Sequence, residues 1–141
     1  MNPMRRGYGV RREGVGVTDI RVLLVDDEED IRLVMRVGLN LANEDLVVVG
    51  EAGDGESALR LADELDHTIV VLDQRMPGLS GLETAVALLE RRPGQRMMLC
   101  SAFLDEALRQ EALAAGFRQC IQKHEIPQLP DLLRALAREA A

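Results

Sequence analysis

The chain has 141 residues, 47% hydrophobic and 29% charged, with a formal net charge of −7, two cysteines and only three aromatic residues, one Tyr and two Phe. That length suits one domain burying roughly two thirds of the surface its unfolded form exposes, so no disulfide or structural metal is needed to hold it. Arginines dispersed through an acidic chain leave no electrostatic footprint for direct nucleic-acid binding. No apolar run is long enough for a signal peptide or a membrane span, so a cytoplasmic protein with buried, reduced Cys100 and Cys120 is expected.

Residues 1–18 place Gly7, Gly9, Gly14 and Gly16 among Arg5, Arg6, Arg11 and Arg12. With neither helical nor strand periodicity, they read as a flexible N-terminal extension, the folded domain covering 19–141. A first apolar run at 22–25 ends at Asp26 and Asp27. The helix after it carries Glu28, Glu29 and Asp30 in its first turn, where negative charge suits the helix dipole, and is expected to bury Ile31, Val34, Met35, Gly38 and Leu41. A second strand at 46–50 leads through the turn Gly53-Asp54-Gly55 into a helix over 56–65, expected to bury Ala58, Leu59, Ala62 and Leu65. His67, just before a third strand at 68–72, reads as a surface group.

The third strand ends at Asp73, in the turn Gln74-Arg75-Met76-Pro77-Gly78. The next helix, over 81–92, is expected to turn Leu82, Ala85, Val86 and Leu89 inward and to stop at Pro93-Gly94. A fourth strand at 96–101 ends at Ser101, and a helix over 105–115 closes at Gly116, which suits a left-handed C-cap. A fifth strand at 118–122 runs into Lys123, the only lysine among 17 basic residues. A last helix over 130–140 points Leu132, Leu133 and Leu136 at the sheet. Strands without polar alternation, separated by helices, predict an α/β fold: a doubly wound, five-stranded parallel sheet with helices on both faces.

In such a sheet the C-terminal strand ends line one crevice, so Asp26, Asp27, Asp73, Ser101 and Lys123 can meet there. Carboxylates alone would repel a phosphate. With a divalent cation between them the set makes sense, and hard oxygen ligands completed by waters and a substrate phosphate are typical of Mg²⁺. A carboxylate so placed can attack phosphorus, and Lys123 can contact a phosphoryl oxygen as a compact point charge. Each residue also has a plainer reading: an acidic helix start for Asp26 and Asp27, an N-cap or solvated group for Asp73, a helix cap for Ser101, a surface lysine for Lys123.

The motifs "LLVDDEEDIR" at 23–32, "VVLDQRMPGLSGLE" at 70–83, "LCSA" at 99–102 and Lys123 resemble the receiver domain of two-component response regulators, over about residues 19–138. The resemblance implies the flavodoxin-like fold of that family. It implies that Asp73 accepts a phosphoryl group from a sensor histidine kinase or phosphotransfer protein, and that Asp26, Asp27, Asp73 and the main-chain carbonyl of Arg75 bind Mg²⁺. Ser101 matches the switch hydroxyl and Lys123 the phosphoryl contact. It also implies an output surface on the fourth helix, fifth strand and fifth helix, around Leu104, Ala107, Leu108, Cys120 and Leu129, open to an unidentified downstream protein or to a second copy of the chain. Cys120 stands where an aromatic is usual and His124 where a proline is common; His124 reads as a loop residue. Arg75 and Phe103 offer no amide or carboxylate to orient an attacking water, so a long-lived acyl phosphate is expected.

Two other classes compete. A phosphatase of the haloacid dehalogenase kind needs a second acid two positions after its nucleophile, where this chain has Arg75. A receiver-like binding module would work without phosphorylation. The chain also reads as a stand-alone switch or as the receiver of a longer DNA-binding regulator, since "VVGEAGDGESAL" at 48–59 resembles receivers joined to helix-turn-helix domains.

Overall fold

A computed structural model describes residues 19–42 and 45–139, so the extension expected at 1–18 lies outside the described residues. The apolar runs form strands β1 (Ile20–Val25), β2 (Leu46–Ala52), β3 (Ile69–Leu72), β4 (Arg96–Ser101) and β5 (Gln119–Gln122). Between and after them lie helices α1 (Glu29–Ala42), α2 (Gly55–Glu64), α3 (Gly81–Arg91), α4 (Glu106–Ala114) and α5 (Leu129–Arg138), with a 3-10 segment, Lys123–Gln128, before α5. The sheet order is β2-β1-β3-β4-β5, with every ladder parallel. The doubly wound α/β fold expected from the sequence is the fold observed.

Strand side chains alternate between two cores because successive residues point to opposite sheet faces. Val22, Leu24, Val71 and Met98 pack with Met35 and Leu39 of α1 and Leu129, Leu133 and Leu136 of α5. Leu23, Val25, Val70 and Leu99 pack with α2, α3 and α4 through Ala58, Leu88 and Ala112. Cys100 belongs to the first core and Cys120 to the second, so the two buried thiols lie on opposite faces of the sheet and cannot bridge each other.

Several helix faces differ from the expectation. In α1, Val34 and Leu41 are exposed, as is Gly38, and the buried pair is Met35 and Leu39. Apolar residues surround this helix, and contact with α5 selects the stripe four residues apart from Ile31. In α3, Val86 is exposed while Thr84, Ala85 and Leu88 are buried. Leu65 ends α2 as its C-cap and is only half-buried. Leu129 is 1% exposed, inside the core with α1, and so is removed from the expected output surface.

His67 is likewise buried rather than a surface group. Its Nε2 lies 2.7 Å from Gln95 Oε1 and its Nδ1 2.8 Å from the Leu65 carbonyl. Gln95 in turn donates to the Arg96 carbonyl at 3.0 Å, which fixes the orientation of its amide.

Local chemistry sets the helix starts. Asp54 caps α2 by accepting from Ser57 N–H at 2.8 Å, and Ser80 and Glu83 form a reciprocal capping box at α3. Asp105 caps α4 through Leu108 N–H at 2.8 Å, which leaves Ser101 free of that role. Gly116, at φ +103°, follows α4 as expected of a left-handed cap.

Candidate functional site at the C-terminal strand ends

Parallel pairing carries the chemistry-bearing residues to one edge. Val25 is in register with Leu72, Leu72 with Leu99, and Ser101 with Gln122, so the residues following β1, β3 and β5 emerge beside the end of β4. Backbone bonds extend the ladders past the strands: Asp26 N–H donates to the Ala52 carbonyl at 3.0 Å and Asp73 N–H to the Val25 carbonyl at 2.9 Å. Asp26 and Asp73 are thereby held side by side, 1% and 4% exposed. Asp27 faces solvent.

Three carboxylates converge: Asp26, Asp27 and Asp73 each offer an oxygen, all within 4.8 Å of one another. At that spacing two unit charges repel by roughly 3–4 kcal/mol at an effective dielectric near 20. Lys123 offsets part of this. Its Nζ lies 3.0 Å from Asp26 Oδ2, 3.2 Å from Asp73 Oδ2 and 3.2 Å from Glu28 Oε1. Burial alone would lower the pKa of Lys123, but its hydrogen bond to Asp26 and the charges of Asp73 and Asp26 push it upward overall.

One ammonium does not balance the set. Burial raises the Asp26 pKa, against the Glu28 N–H it accepts and the nearby lysine. Asp73 is raised too, first by burial and then by the charge of Asp26. Asp26 Oδ1 is satisfied by Glu28 N–H at 2.8 Å, whereas the buried Oδ2 has only the Lys123 ammonium, which it shares with Asp73 and Glu28. A buried carboxylate oxygen whose one partner is an ammonium shared with Asp73 and Glu28, beside two further carboxylates, is a donor set suited to a hard divalent cation. The residues therefore fit Mg²⁺.

The cluster opens into a cleft of about 240 Å³ lined by Asp27, Asp73, Arg75, Ser101, Phe103 and Lys123, among others. Ser101, 4% exposed, donates from its hydroxyl to the Phe103 carbonyl at 3.0 Å. Phe103 is 68% exposed at the mouth. His124 is exposed in the 3-10 segment, directly after Lys123.

The turn after Asp73 is pinned from the α3 side. Gly81 N–H donates to the Gln74 carbonyl at 2.9 Å, and Leu82 N–H donates to Gln74 Oε1 at 2.9 Å. A Cβ on Gly81 would lie 2.3 Å from the Asp73 carbonyl oxygen, so only glycine lets α3 approach this closely.

Three contributors were not singled out from the sequence: Glu28 as a partner of Lys123, Gln74 as a brace, and Arg32. Arg32 donates from Nη1 to the Asp26 carbonyl and from Nε to Glu51 at 3.1 Å, tying the Asp26 turn to the end of β2. An arginine four residues after Glu28, on the first turn of an acidic helix, was the available signal.

Comparison with known proteins identifies the family. The family model described as "Response regulator receiver domain" matches residues 22–136. The chain is 37% identical over 120 residues to the nitrate/nitrite response regulator protein NarL of Escherichia coli, covering 85% of this chain and 54% of that one. It is 32% identical over 103 residues to the chemotaxis protein CheY of Thermotoga maritima, covering 73% and 84%. The signal receiver domain of a putative response regulator NarL from Mycobacterium tuberculosis superposes with a TM-score of 0.77 at 30% identity, covering 87% of this chain and 100% of that one. The response regulator domain of Thermotoga maritima CheB gives 0.80 at 29% identity, covering 87% and 99%. The chain spans about half the length of the first curated relatives it matches. It belongs to the response regulator receiver domain family of two-component signalling.

Proposed function

We propose that the chain is a phosphorylation-driven switch in which Asp73 is the acceptor. The observation that carries this reading is the placement of a buried carboxylate at the end of β3, within reach of two further carboxylates and the only lysine. The donor is a phosphohistidine of a sensor kinase or phosphotransfer protein. An Asp73 carboxylate oxygen attacks phosphorus, the P–N bond breaks, and its electron pair returns to the imidazole, which takes up a proton. Asp26, Asp27, Asp73 and the Arg75 main-chain carbonyl would hold Mg²⁺, which when bound would supply positive charge to the phosphoryl oxygens. Lys123 exchanges part of its pairing with Asp26 and Asp73 for a phosphoryl oxygen. Ser101 leaves the Phe103 carbonyl and donates to the phosphoryl group, so that the loop before α4 reports the charge on Asp73.

Output passes through the surface of α4 and β5, around Leu104, Ala107 and Leu108, to a downstream protein or a second copy of the chain. Cys120 is buried beneath it in the core shared with α4, so the aromatic rotation usual in the family is replaced by the movement of the Ser101–Phe103 loop. Incubation with acetyl phosphate and Mg²⁺, followed by intact mass spectrometry, tests the acceptor. One phosphoryl group is expected, absent in Asp73→Asn and absent with a chelator. No uptake by the parent chain, under conditions that label another receiver, would favour a phosphorylation-independent binding module.

A further inference from the structure

The opposite end of the sheet carries a second cleft that the phosphoacceptor chemistry does not use. It has a volume of about 380 Å³ and is lined by His67, Thr68, Arg92, Gly94, Gln95 and Arg96, together with Pro93. Thr68 precedes β3 and Asp73 follows it, so the two clefts lie about 17 Å apart along the strand direction.

Its charge is unusual for this chain. In a protein of net charge −7, the cleft is lined by two guanidinium groups and no carboxylate among the described residues. Neighbouring acids are already engaged elsewhere: Asp63 pairs with Arg91, Asp66 with Arg21 and Glu139 with Arg118. Among the described residues, Arg92 and Arg96 bond only to neutral main-chain oxygens, Arg92 to the Ala62 carbonyl at 3.2 Å and Arg96 to the Glu139 carbonyl. Arg96 Nε is buried and donates to nothing. A guanidinium holding Nε and Nη2 hydrogens in one plane is built to take two oxygens of one oxyanion side by side, and here half of that fork is unused.

We propose that this cleft binds a diphosphate group, free or carried on a small molecule. One guanidinium serves each phosphoryl group across the Pro93-Gly94 turn. The volume exceeds what a single oxyanion fills and falls at the lower end of the range for small-molecule sites. Arg96 turns from the Glu139 carbonyl and presents Nε and Nη2 together, so the C-terminal end of α5 senses occupancy.

The test is a titration of the ¹⁵N-labelled chain in Mg²⁺-free buffer with pyrophosphate, adenosine diphosphate, orthophosphate and chloride at matched ionic strength. Saturable shifts of the Thr68, Gly94, Gln95 and Arg96 amides are expected. Pyrophosphate or adenosine diphosphate should bind more tightly than orthophosphate, and the tighter of the two identifies the free or the esterified source. Arg92→Gln and Arg96→Gln should each weaken binding at least about tenfold, the effect of one lost charge-assisted contact, while the rest of the spectrum stays native. If Arg96→Gln disturbs the fold, Arg92→Gln alone decides, since that side chain has a single protein contact to lose. Shifts that follow ionic strength in the chloride arm, saturable binding unchanged by Arg92→Gln, equal affinity for ortho- and diphosphate, or shifts confined to the Asp73 end would each overturn the proposal.

Discussion

The two ends of the sheet carry opposite charge, carboxylates at one and arginines at the other. At the C-terminal end, Asp26, Asp27 and Asp73 converge, and the one ammonium, Lys123, pairs with only two of them and with Glu28. At the N-terminal end, the His67 ring lies between the Leu65 carbonyl and Gln95 Oε1, and Gln95 donates to the Arg96 carbonyl. The first arrangement leaves negative charge unbalanced, so a cation bound there would stabilise the fold. The second anchors the loops before β3 and β4 and is indifferent to that ligand.

The largest effect expected is functional: Asp73→Asn should abolish phosphoryl uptake while leaving the fold intact by circular dichroism. Retained uptake would move the acceptor elsewhere. Next, Mg²⁺ at a hundredfold excess over its Kd should raise unfolding free energy by about 2.7 kcal/mol. Asp26→Asn should remove most of that gain in urea melts, whereas His67→Ala should leave it unchanged. His67→Ala should itself destabilise by roughly 1–3 kcal/mol, because Gln95 is left buried without its partner. Gly81→Ala should cost a similar roughly 1–3 kcal/mol through overlap with the Asp73 carbonyl.

The smallest effect concerns pH and gives the comparison its sign. Asp26 and Asp73 have folded pKa values raised above 3.8, mainly by burial. The folded chain therefore holds protons that the unfolded chain has released, and these groups lose stability as pH rises from about the unfolded value through the raised ones. In Mg²⁺-free buffer Asp26→Asn should be more stable than the parent near neutral pH, and the gap should narrow as pH falls through that window. A gap that widened instead would mean that Lys123 more than compensates the burial of Asp26.

Element order was legible because short apolar runs and breaker pairs are local signals, and the edge residues Asp26, Asp73, Ser101 and Lys123 followed from where those runs stop. Helix phase was not. α1 carries apolar side chains at Leu33, Val34, Val37 and Leu41 as well as at Met35 and Leu39, so its sequence permits two stripes and only packing against α5 chooses between them. His67 was misplaced for a related reason: its partner Gln95 is 28 residues away, and nothing near His67 in the chain announces it. The contact of Lys123 with Glu28 spans 95 residues and is equally invisible to local pattern.

The glycine contacts around Asp73 have a mechanical meaning. A Cβ on Gly81 would strike the Asp73 carbonyl, and one on Gly55 would lie 2.2 Å from Thr84 Oγ1; α2, α3 and the turn after Asp73 are thus wedged together with no slack. The other flank is closed by one serine hydroxyl and an exposed Phe103. If Asp73 is the acceptor proposed above, a shift beginning there meets packed backbone on the α3 side and a single hydroxyl contact on the side toward α4.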